Sequence, residues 1–231
     1  MQTDLTFNGF DKGFLEFLQN LKQNNTKDWF AKNKNYYDKH IKSSCKNLVY
    51  DLGNYFYSNH LPYVADDKIS LFRIHRDVRF SPNKDPYKTN IGLYFPFSFN
   101  PALAKKSTSI GLYLHFEPNN CFVAGGYYMP EPAELKQFRT RIYEDFEEFD
   151  SIINSEIFKS HFTDIMKMTE PLKKVPLGFP KEHPSVEYLK MKDLSFTAVI
   201  PENIIYSTEL LEFAKQKAEV LTPYLAFLLN N

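Results

Sequence analysis

Residues 109–127, SIGLYLHFEPNNCFVAGGY, decide the architecture. Ile110, Leu112, Leu114 and Phe116 alternate with Tyr113, His115 and Glu117, the period of two that marks a strand with one oily and one polar face. Pro118, Asn119 and Asn120 supply a turn, and Cys121–Tyr127 reads as the returning strand. Upstream, Ile91, Leu93 and Phe95 share a face in residues 90–95. From Leu71 to Phe80 the same period places Phe72, Ile74, Val78 and Phe80 on one side and Arg73, His75, Asp77 and Arg79 on the other. Arg76 falls on the oily side, where a bare cation is costly and needs a partner. These runs predict an antiparallel meander with one buried and one polar face.

Helical spacing surrounds the meander. Phe10, Phe14, Phe17, Leu18 and Leu21 form one stripe. Asn24 and Asn25 interrupt it, and Thr26 is placed to cap a long helix reaching about Tyr57, with Gly53 weakening its last turn. Pro132 suits a first helical position, and the stripe from Leu135 to Ile153 follows, with a restart expected at Asp150. Five turn-forming residues between Pro171 and Pro184 predict a rigid irregular connection. A short helix (185–191), a strand from Ser195 to Ile200 and a C-terminal helix over about 207–229, kinked near Pro223, complete the chain. The reading is a single α+β domain over residues 1–231: a central, mainly antiparallel sheet flanked by long N- and C-terminal helices.

With 28 basic and 28 acidic residues the formal charge is zero, which argues against a dedicated nucleic-acid binder. Cys45 and Cys121 match no metal or redox spacing and read as buried thiols of a reducing compartment. No secretory signal and no run of ~20 apolar residues is visible, so a cytoplasmic location without membrane insertion is expected.

Positive charge concentrates in residues 73–88. Arg73, Arg76, Arg79, Lys84 and Lys88 stand against Asp77 and Asp85, a local excess of three. Guanidinium forks fit phosphate and carboxylate, Tyr87 adds a hydroxyl or stacking face, and Pro86 stiffens the loop. The expected ligand-binding set is Arg73, Arg76, Asp77, Arg79, Lys84, Tyr87 and Lys88, holding a small anionic ligand. Three readings stand side by side: that ligand site, an internal ion-pair network in a structural or interaction module, and contact with nucleic-acid phosphates. Tyr113, His115 and Glu117 point one way from their strand, making His115 a candidate base oriented by Glu117, against the plainer reading of a solvated sheet face. Were the strand carrying His75 and Asp77 adjacent, those two with His115 and Glu117 could hold a transition metal. Gly125 and Gly126 read as a turn or bulge that requires glycine. Neither a cofactor nor an oligomeric state is indicated, and catalysis is left open.

The pattern Arg73-x-x-Arg76-Asp77-x-Arg79-Phe80 followed by Lys84-x-Pro86-Tyr87-Lys88 resembles the signature of domain of unknown function 2461. Asn24-Asn25 through Trp29-Phe30, Gly125 through Pro130, and Leu172-Lys173 with Pro176-x-Gly178-Phe179-Pro180 are similar to it as well. His75 departs, standing where the family more often carries tyrosine. The resemblance implies a mainly bacterial family with fungal members, and no particular activity, cofactor or substrate.

Overall fold

The computed structural model describes residues 6–79, 82–100, 109–166 and 169–229. Five antiparallel strands, β1 (Ile91–Pro96), β2 (Ile110–Phe116), β3 (Phe122–Tyr127), β4 (Asp164–Ile165) and β5 (Leu194–Val199), form a sheet ordered β1-β2-β3-β5-β4. The predicted alternation holds in β2. Ile110, Leu112, Leu114 and Phe116 are buried, while Tyr113 and His115 on the opposite face are only half-buried.

Helices cover the oily face. Helix α1 (Phe14–Gln23) sets Phe14 edge-on against Phe116 at 5.8 Å. Thr26 caps α2 (Lys27–Tyr36) by accepting from the Trp29 amide at 3.2 Å, as its position predicts. The helix then widens into a π-helical stretch, Tyr37–Lys42, and continues as α3 (Ser43–Ser58), whose Phe56 packs on Phe95. A short α4 (Asp67–Ser70) leads to the cationic segment. After β3 come α5 (Pro132–Glu144), α6 (Phe146–Ile153), α7 (Glu156–His161) and α8 (Val186–Leu189). The restart expected at Asp150 falls instead at Asp145 and at Ser155, whose hydroxyl accepts from the Phe158 amide. A 3-10 turn (Glu202–Tyr206) precedes α9 (Glu209–Leu229), which contains Pro223 and lies across the sheet. Its Leu221 fills the space that a side chain at Gly125 would need, and Tyr224 donates to the Leu194 carbonyl. One contiguous apolar cluster runs from Phe7 to Leu228.

The expected strand over Leu71–Phe80 is not continuous; Phe80 and Ser81 lie outside the described residues. Among its described residues the segment forms only two isolated bridges, Leu71 to Leu93 and His75 to Tyr87. The segment pairs on one side only, and Pro86 opposite it has no amide to donate, so the ladder stays sparse.

One buried cation lies away from the sheet's polar face. Lys217 in α9 is 6 % exposed, its Nζ donating to the His161 carbonyl and lying 4.9 Å from the Phe213 ring centre. Burial pulls its pKa down to about 8. A folded value below the unfolded one means the folded protein sheds this proton first. Stability from this group therefore rises as pH climbs from about 8 towards the unfolded lysine value of ~10.4. Lys217→Met is expected to add about 2 kcal/mol at pH 7, a gain that shrinks towards pH 10; urea unfolding at both pH values checks it.

Candidate functional site

The face of the sheet turned away from α9 carries a cavity of about 520 Å³. Its walls include the rings of Phe72, Tyr94, Tyr113, Phe122 and Tyr128, and its polar lining includes Ser109, His115, Glu117, Asn120 and Ser195. Two glycines create the room for it. Gly92 pairs with His115, and a Cβ there would sit 2.6 Å from Tyr113 Oη; a Cβ at Gly111 would sit 2.6 Å from the Tyr94 ring. The tyrosine rings therefore lie across neighbouring glycines instead of standing off the sheet.

His115 stacks on Phe122, with centroids 4.6 Å apart and planes within 14°. Its Nδ1 lies 2.9 Å from Tyr113 Oη and 3.4 Å from Asn90 Nδ2. Its Nε2 is buried without a hydrogen-bond partner, and Glu117 Oε2 stands 3.5 Å away, at ion-pair distance. Burial lowers the His115 pKa, and Glu117 opposes that shift. Burial raises Tyr113 to about 12, helped by Tyr128 and Glu117. Glu117 accepts from Thr89 Oγ1 at 3.3 Å, lies 3.7 Å from Lys22 Nζ, and has its carbonyl held by the Cys121 thiol at 3.2 Å.

The cationic segment divides into two kinds of residue. Arg79 grips Asp77 with both Nε (3.0 Å) and Nη2 (2.7 Å), and this holds the Asp77 carboxyl well below the usual range. Lys84 donates to the Val78 carbonyl at 2.9 Å, and Arg73 reaches Asp77 only at 3.9 Å. Tyr87 is a structural pin: it stacks on Phe30 at 4.1 Å, and Asn25 bonds both its amide and its carbonyl. Arg76 and Lys88 differ. Neither has a carboxylate within ion-pair reach among the described residues, and Arg76 Nε is buried without a partner. Lys88 Nζ lies 5.3 Å from the centre of the Phe72 ring, and Phe72 is a wall of the cavity. Burial depresses the Lys88 pKa, and repulsion from Arg73 and Arg76 adds to it.

A family model described as conserved hypothetical protein (DUF2461) matches residues 13–227. The chain belongs to the DUF2461 family. No curated protein and no solved structure matches it.

In this DUF2461 protein the two histidine pairs do not converge. His75 packs on Tyr87 and lines a second cavity of about 490 Å³ with Arg73, Lys42, Lys68 and the paired Lys46 and Asp67, whereas His115 lines the first. No group of three or more metal-ligating side chains occurs among the described residues. Gly125 and Gly126 lie inside β3, where they admit Leu221 and the β5 backbone, so close packing is what they serve. The spacing of residues does not reveal Lys22, Thr89 or Asn90 as partners of the polar face. The signal that was available is glycine at strand positions whose neighbours across the ladder carry large rings.

Proposed function

We propose that the protein binds a small ligand with a flat apolar body and a phosphate or carboxylate group, the body between the rings of the sheet-face cavity and the anion against Lys88 and Arg76. The observation that carries this reading is the cluster of Arg73, Arg76 and Lys88. Burial depresses the Lys88 pKa and repulsion from the two arginines adds to it, and neither Arg76 nor Lys88 has a carboxylate partner among the described residues. Like charges gathered beside an aromatic wall are stabilised when an anion enters. The internal-network reading applies to the rest of the segment, since Arg79 and Lys84 are already occupied within it. No helix of the described residues is long and apolar enough to cross a membrane.

Phenyl phosphate and benzoate, added in a thermal-shift and calorimetric titration, test the reading. The wild type is expected to be stabilised by one of them, with affinity at least tenfold weaker in Lys88→Ala, the loss of one charge-assisted bond. Arg79→Ala and Lys84→Ala are expected to leave affinity within about twofold. Equal affinity in wild type and Lys88→Ala, or no response to either anion, would rule the reading out.

A further inference from the structure

Resting on the reading of the sheet-face cavity as a ligand site, we propose that Tyr113, His115 and Glu117 form a proton relay that makes the Tyr113 hydroxyl a nucleophile towards the phosphorus of a phosphate ester held there.

The three side chains stand in the order nucleophile, base and orienting carboxylate. Tyr113 Oη lies 2.9 Å from His115 Nδ1, within reach for direct proton transfer. Asn90 Nδ2 approaches the same nitrogen at 3.4 Å. Two donors at Nδ1 make it the acceptor, which puts the ring proton on Nε2. That Nε2 is the buried, unpartnered atom, and Glu117 Oε2 is the carboxylate oxygen 3.5 Å from it. A neutral imidazole leaves the pair loosely coupled, whereas an imidazolium would draw the carboxylate in, as catalytic contacts tighten once substrate is bound. Glu117 is braced for that role by Thr89, Lys22 and the Cys121 thiol. Gly92 is required at its position, because a side chain there would displace the Tyr113 hydroxyl.

Burial keeps His115 neutral and able to accept a proton, and it keeps Tyr113 protonated at rest. Activation therefore comes from the adjacent base and not from a lowered hydroxyl pKa, as in serine–histidine pairs. In the first step Tyr113 Oη bonds to phosphorus while its proton passes to Nδ1. The bond from phosphorus to the leaving oxygen breaks, and that oxygen takes the proton from Nδ1. Water then attacks the phosphotyrosine by the same route, giving inorganic phosphate and restoring the hydroxyl. Lys88 Nζ lies 5.3 Å from the centre of the Phe72 ring, which is itself 6.0 Å from the Tyr113 ring, and would offset the charge that the phosphoryl oxygens gain.

Phenylmethylsulfonyl fluoride tests the relay in the intact protein, because its tetrahedral sulfur accepts the same attack with loss of fluoride. Peptide mapping is expected to find Tyr113 sulfonylated at least tenfold faster than Tyr57, which is 86 % exposed. His115→Gln is expected to slow that labelling about a hundredfold. Glu117→Gln is expected to slow it and to move the acid limb of its pH profile to lower pH, since the carboxylate that raises the His115 pKa is gone. Tyr113→Phe is expected to abolish release of p-nitrophenol from p-nitrophenyl phosphate. Labelling of Tyr113 no faster than Tyr57, or unchanged in a folded His115→Gln variant, overturns the relay. Sulfonylation without p-nitrophenol release overturns the phosphate-ester assignment. The probe carries no charge, so failed labelling with phenyl phosphate binding retained sinks the relay alone, and the reverse pattern sinks the anion site alone.

Discussion

Gly126→Ala is expected to cost about 4 kcal/mol of folding free energy, read as a lowered urea midpoint with an unchanged slope. Gly126 sits in β3 at φ +147°, a conformation side chains rarely adopt. A Cβ there would lie 2.0 Å from the Leu194 carbonyl oxygen and 2.7 Å from Ser195 Cα. Both obstacles are backbone of the adjacent strand, so no rotamer change relieves them. The pairing of Gly126 with Ser195 would have to open, and with it the end of the cavity that both residues line. Loss of ligand response is therefore expected to accompany loss of stability. A midpoint shifted by less than about 1 kcal/mol equivalent would mean the β3–β5 ladder is looser than its geometry.

Phe149→Ala is the second large effect, expected to cost 3–5 kcal/mol. Phe149 in α6 is fully buried, meets Tyr188 edge-on at 4.9 Å, and lies 5.8 Å from Phe227 and 6.2 Å from Tyr224. One ring thus joins α6 to α8 and to α9, the helix that backs the sheet. Truncation leaves a void whose walls are held by three separate elements and cannot collapse together. In a chain of this size the loss corresponds to a fall in Tm of about 6–20 °C. Because the void lies on the helical side, affinity for phenyl phosphate at a temperature where the variant remains folded is expected to stay within about twofold. A calorimetric scan and a titration on one preparation separate the two expectations.

The two variants mark where the amino-acid pattern is informative and where it is silent. The faces of β2 are legible because period-two alternation is a property of neighbouring residues, and Ile110 to Phe116 carry it without interruption. Thr26 and Pro132 announce their helices for the same local reason. The break of the helical stripe at Asp145 is hidden, since Leu135 to Ile153 keep helical spacing through it. The cationic segment is half legible. Asp77 with Arg79, two residues apart, and Lys84 with Val78, six apart, are local contacts. Whether Arg76 and Lys88 keep their charge for something else depends on how the loop closes, and Asn25 decides that from 62 positions away by clamping Tyr87.

The chain's own pattern of residue types determined the class of fold, the polar and oily sides of its sheet, and the place where cations accumulate, because each follows from spacing along a short backbone segment. Tertiary structure alone decided which cations are already neutralised, that His75 and His115 line separate cavities, and that Tyr113, His115 and Glu117 receive Asn90, Thr89 and Lys22 as neighbours. Those outcomes depend on strand register and on helices packing across many tens of residues. Desolvation and charge pairing are set by who arrives from elsewhere in the chain, so no local pattern encodes them.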